Sequence, residues 1–70
     1  MVEVDLKIDG KSAFEYESNS APVVGEYLDI QHEYANGLFK VIKVTHRIAE
    51  LTKKERLIHY LVVEAETVTQ

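Results

Sequence analysis

Seventy residues, 46% of them hydrophobic and 29% charged, suffice for one small core, because chains run to roughly 100–200 residues per domain before a second core forms. A single domain over residues 1–70 is therefore expected. There is no cysteine, which excludes disulfide scaffolds and thiolate-ligated zinc. No apolar run approaches the ~20 residues of a membrane-spanning helix. Met1-Val2-Glu3-Val4-Asp5 alternates charge where a signal peptide would be continuously apolar, so a reducing cytoplasm is the expected compartment.

The formal charge of −4 conceals a division of sign. Residues 1–39 carry eight acids against Lys7 and Lys11, a balance of −6. Residues 40–56 carry Lys40, Lys43, Arg47, Lys53, Lys54 and Arg56 against Glu50 and Glu55, a balance of +4, and residues 57–70 add only Glu64 and Glu66. Such asymmetry marks either a solvated hairpin or a surface for an anionic partner.

Val2, Val4, Leu6 and Ile8 recur with period two, separated by Glu3, Asp5 and Lys7, the pattern of a strand with one buried face. Asp9-Gly10 follows, then Phe14 and Tyr16 alternate with Ala13, Glu15 and Glu17, predicting a second strand folded back on the first. A three-residue loop, Ile8-Asp9-Gly10, sets Val4 opposite Phe14 and keeps both apolar sets on one face, with Gly10 in the left-handed position that closes a type I turn. Ser18-Asn19-Ser20-Ala21-Pro22 breaks the pattern as the main connection. Val24, Leu28 and Ile30 share one parity and predict a third strand reached through Gly25, which the Asn36-Gly37 turn should end.

From Leu38 to Ile48 the pattern slips: Phe39 and Val41 share one parity, Val44, His46 and Ile48 the other. A bulge near Ile42-Lys43 keeps all five on the core face, sends Lys40 and Arg47 outward and coils the strand. Residues 49–56 read as a polar connection, with room for a short helical turn at 49–56, and Leu57 to Val68 as the last strand. The rival for this last third is a helix, since Thr52-Lys53-Lys54-Glu55 has the form of a capping box and Leu57, Ile58, Leu61 and Val62 would share a face. Against it stand the β-branched and aromatic residues of 58–63.

Five short strands in this length predict an all-β fold: a small, strongly bent antiparallel barrel of the SH3-like or oligonucleotide-binding-fold type. Pro22-Val23-Val24-Gly25-Glu26-Tyr27-Leu28, with Phe39-Lys40-Val41-Ile42-Lys43-Val44 downstream, looks like the corresponding segments of many small barrels.

For chemistry, His46 and His59 flank the 49–56 connection, and a register that sets Ile48 opposite Leu57 sets the two imidazoles opposite each other. A zinc site needs a third protein ligand, for which His32 with Glu33 is the candidate by composition; no metal or other cofactor is expected. Glu15/Glu17 and Glu64/Glu66 are alternating acids of a solubilising edge rather than a catalytic pair. There is no cysteine nucleophile, glycine-rich phosphate loop or Gly-x-Ser-x-Gly turn, so no catalysis is expected. The preferred reading is a non-catalytic protein-interaction module or small accessory subunit that uses its oppositely charged surfaces, acidic 1–39 and basic 40–56, on a protein partner or on a second copy. The alternative is nucleic-acid binding by the 40–56 hairpin, with Tyr34 or Tyr60 as a stacking face. That alternative requires Lys40, Lys43 and Arg47 to project from one surface, and the overall acidity opposes it.

Overall fold

The computed structural model describes residues 1–51 and 56–68. Its elements are β1 (Val2–Ile8), β2 (Lys11–Ser18), β3 (Tyr27–His32), β4 (Ala35–Leu51) and β5 (Arg56–Thr67). They form one sheet in the order β2-β1-β5-β4-β3, curled into a half-barrel, so the chain is all-β and strongly bent as the periodicity predicts. No helix occurs among the described residues, and hence none long and apolar enough to cross a membrane. The helix proposed for the last third is replaced by β5, and the short helical turn at 49–56 is overturned at residues 49–51 and 56, which are strand; residues 52–55 lie outside the described residues. The β-branched run of residues 58–63 explains why: it fits a pleated surface better than a helix.

Three of the four pairings are antiparallel, and β1 with β5 is parallel, with Val4 beside Leu61 and Leu6 beside Val63. The core follows from alternation on these central strands. Val4, Leu6, Phe39, Val41, Leu61, Val63 and Ala65 are buried, and Val2, Ile8, Phe14, Tyr16, Leu28, Ile30 and Val44 pack against them. The outer strands β2 and β3 approach each other through side chains as the sheet curls. Phe14 on β2 stacks on His32 on β3, ring centroids 4.4 Å apart.

The first hairpin keeps the expected face but not the expected loop. Ile8 pairs with Lys11, so the loop is the two residues Asp9-Gly10, and the extra residue is Ala13, bulged between the pairs Leu6–Phe14 and Lys7–Ser12. Val4 consequently faces Tyr16. Both loop residues have positive φ, 51° and 83°, the requirement of a type I′ turn, whose twist matches that of the flanking strands. The Asp9 carboxylate accepts hydrogen bonds from the Thr67 hydroxyl (2.6 Å) and amide (3.1 Å), which tie the turn to the end of β5 and hold the carboxyl below its ordinary value.

The second hairpin turns at Glu33-Tyr34, with His32 paired to Ala35, whereas Asn36-Gly37 lies inside β4. This register sets Leu28 against Phe39, and His32 Nδ1 accepts the Tyr34 amide hydrogen at 3.1 Å. Apolar pairing thus overrides the local turn signal. Val24 lies in the turn before β3 and is exposed.

In β4 the bulge falls at Ile42, between the pairs Val41–Ala65 and Lys43–Glu64. Phe39, Val41, Val44, His46 and Ile48 do share one face across it, but burial fades along the row, from Val41 at 0% exposed to Ile48 at 65%. The reason is the length of the strands. β3 accompanies β4 only to Lys40, and β1 accompanies β5 only from Leu61. Arg47–Leu51 and Arg56–Tyr60 pair with each other alone, as a two-stranded arm that draws the molecule out to 48 × 24 × 22 Å.

Candidate functional site

Of the sequence-predicted residues, Arg47, Arg56, His59 and Tyr60 lie on the arm and His46 at its base. The arm's inner face, continuous with the core side of the sheet, carries Ile48 opposite His59 and Glu50 opposite Leu57, with His46 at its base opposite Leu61; its outer face carries Arg47 opposite Tyr60, Ala49 opposite Ile58, and Arg56. Leu57 is 72% and Ile58 39% exposed. An isolated two-stranded hairpin is marginal in water, and here apolar residues lie uncovered on both of its faces.

The basic residues form a row. Lys40, Lys43, Arg47 and Arg56 all stand on the outer face, since their partners or positions on β5 share the parity of Tyr60, Glu64 and Glu66; Lys53 and Lys54 lie outside the described residues. The lower half of the row is matched by acids: Lys40 pairs with Glu66, and Lys43 Nζ is 3.9 Å from Glu64. The Lys43–Glu64 contact is worth at most about 1 kcal/mol, and Glu66 opposite Lys40 offsets that lysine's charge across the ladder without an ion-pair contact. Among the described residues of the row, Arg47 and Arg56, on the arm, have no acid directly opposite them. Tyr60 faces Arg47 across the strands, whereas Tyr34 lies at the opposite end of β4, in the Glu33-Tyr34 turn beside the His32 ring.

Beside the base of the arm the outer face is acidic. Glu3 stands directly opposite Glu17 and Asp5 opposite Glu15, and like charges directly opposed on a sheet repel at a cost. With Ile58 and Tyr60 these four carboxylates line a surface depression of about 440 Å³. The acidic and basic surfaces expected from the sequence thus lie next to one another on one face. A second depression of similar volume separates β2 from β3, lined by Phe14, Tyr16, Leu28 and Ile30; burial pushes the Tyr16 phenol above its ordinary value there.

His46 and His59 do meet, though not directly opposite one another. Ile48 pairs with His59 and His46 with Leu61, a register two residues from the one expected, because Val44 pairs with Val63 in the core. The imidazoles are therefore diagonal neighbours. Their ring centroids are 5.2 Å apart at 17°, and His46 Nδ1 lies 2.9 Å from His59 Nε2. His32 does not join them; it is packed between Phe14 and Tyr34 at the other end of β4. Among the described residues, no third histidine, aspartate or glutamate completes a cluster with the pair.

What sequence reasoning missed is the exposure of Ile48, Leu57 and Ile58. Apolar residues interspersed among the charges of residues 47–58 are the available signal; period two assigns Ile48 to the core face, and Leu57 and Ile58 read only as the start of the last strand. No family model matches the chain, nor does any curated protein or solved structure.

Proposed function

We propose that this protein is a non-catalytic protein-interaction module or small accessory subunit, with the β4–β5 arm as its docking element. The observation that carries this reading is the exposure of Ile48 and Leu57 on one face of the arm and Ile58 on the other, on a two-stranded projection that has no core of its own. Apolar surface held out from the body in this way is stabilised by burial against a partner. The adjacent charges supply orientation: Arg47 and Arg56 suit an acidic surface, and the Glu3, Asp5, Glu15 and Glu17 face suits a basic one. A second copy is the simplest partner, because it offers both.

Sedimentation over a wide concentration range tests this. Association that is weakened by Ile48→Ser with Leu57→Ser, and made weaker and salt-sensitive by Arg47→Glu, supports the arm as the docking element. A chain that binds a partner equally well with all three substitutions overturns it.

Nucleic-acid binding stays as the second reading on one specific observation: Lys40, Lys43 and Arg47 do share a face. The facing Glu64 and Glu66 weigh against it. In this case Arg47→Glu should abolish oligonucleotide binding, and log affinity should fall linearly with log salt.

A further inference from the structure

We propose that His46 and His59 form one half of a binding site for a divalent transition-metal cation of the zinc class. The same pair from a second copy supplies the other half, so that one cation joins two arms across their inner faces. The identity of the second half rests on the interaction reading above; the half-site itself rests on the geometry of the pair.

Nδ1 of His46 and Nε2 of His59 converge at 2.9 Å, one nitrogen supplying a hydrogen and the other a lone pair. Two imidazole nitrogens that each lie ~2.0–2.1 Å from a tetrahedral cation are about 3.3 Å apart. A widening of roughly 0.4 Å, together with a turn of both exposed rings that aims their facing lone pairs off the N–N line at a common point, converts the hydrogen-bonded pair into a chelate. The backbone has already set the spacing, since the residues are diagonal on adjacent strands of one ladder. Proton balance is simple. In a neutral pair the hydrogen shared between the rings moves to the far nitrogen of its own ring, leaving both facing nitrogens free to donate lone pairs.

The donor set selects the cation. Two imidazoles favour zinc, copper or nickel over calcium or magnesium, which take oxygen ligands; Glu50, opposite Leu57 on the same face, does not complete a cluster with them. The donor count selects the partner. Zinc sites use three or four protein ligands, and no third donor joins the pair among the described residues. A two-fold axis through the cation doubles two ligands to four, the tetrahedral number. The surroundings agree with that placement: Ile48, directly opposite His59, and Leu57, two residues along β5 on the same face, are 65% and 72% exposed, and a second arm laid across the histidines covers them.

The full chain is titrated with zinc chloride at neutral pH, with heat and sedimentation mass both followed, and then with cobalt(II) as a spectroscopic probe. The proposal expects one zinc per two chains, a doubling of mass that a chelator reverses, and the intense visible bands of tetrahedral cobalt. His46→Ala and His59→Ala each remove all three. His46→Gln and His59→Gln confirm the assignment if they also lose the metal while keeping the metal-free melting temperature, which separates ligation from folding. Absence of binding, binding of one zinc per chain with no change in mass, or binding that survives His59→Ala overturns the proposal. A dimer that persists in chelator and ignores zinc also overturns the metal site, and leaves the interaction reading standing.

Discussion

Leu61→Ala distinguishes the part of β5 that holds the fold together from the part that serves the arm. Leu61 is 0% exposed and pairs with Val4 on one side and His46 on the other, so truncation cannot be relieved by solvent. The change forfeits about 2.4 kcal/mol of transfer free energy at ~0.8 kcal/mol per buried methylene, and the cavity left in a close-packed core raises this to about 3–5 kcal/mol. A seventy-residue chain holds about 4–10 kcal/mol in all, at ~0.05–0.15 kcal/mol per residue. The variant therefore loses a third of its stability or more and approaches the unfolded state. Urea unfolding followed by tyrosine fluorescence reads this directly: with a slope near ~1 kcal/mol per molar, the midpoint falls by roughly 3–5 M. Ile48→Ala is the comparison, because Ile48 belongs to the same inner face but is 65% exposed; in dilute protein with chelator it should cost no more than about 0.5 kcal/mol. Equal losses for the two variants would refute the division of the inner face into a packed core and an uncovered arm.

Three other outcomes follow from the strands and turns. Gly10→Ala should cost about 1–2 kcal/mol, measured by thermal melting, because Gly10 sits at φ +83° with nothing near enough to touch a new Cβ, so the penalty is purely that of left-handed backbone. Glu17→Lys should stabilise the chain by about 0.2–1 kcal/mol, since it turns the facing Glu3–Glu17 pair from repulsive to attractive; the gain should shrink in high salt, and a gain unaffected by salt would point to another cause. Hydrogen bonds from Thr67 lower the Asp9 pKa from 3.8, so its ionisation contributes stability that is present above that value and is lost as the pH falls through the lowered folded-state value. The melting-temperature advantage of the wild-type chain over Asp9→Asn should accordingly narrow below pH ~3.8, and an advantage that is constant through the acid range would remove the ion from the explanation.

Alternation made most of the sheet legible from residues alone. The row Val2, Val4, Leu6, Ile8 is β1, and the parity slip between Val41 and Val44 located the bulge that the structure places at Ile42. Two kinds of feature were hidden. One is competition between local and distant preferences: Asn36-Gly37 is a strong turn signal, but turning there would separate Leu28 from Phe39. The Ala13 bulge is similar, because a type I′ loop at Asp9-Gly10 and a shared apolar face for β1 and β2 are incompatible without one extra residue. The other hidden feature is coverage. Period two states which side chains share a face and nothing about whether another strand reaches them, so His46 and Ile48 carried the same signal as Phe39 and Val41. The parallel pairing of β1 with β5 joins residues about as far apart as the chain allows, and no local pattern marks it.

Coverage also explains why the candidate sites gather where they do. β5 is stabilised from both sides only over Leu61–Ala65, where β1 and β4 flank it. Its first five residues and the facing end of β4 leave that support, taking Arg47, Ile48, Leu57, Ile58 and His59 with them. A β5 that had only to complete the sheet would begin near Leu61. The added length buries little among the described residues and exposes backbone edges that invite further pairing; on the proposed reading, its stabilisation comes from a partner. The apolar exposure and His59 belong to that same extension, with His46 at its base opposite Leu61, and a second arm laid on its inner face would supply the missing cover and the missing ligands together.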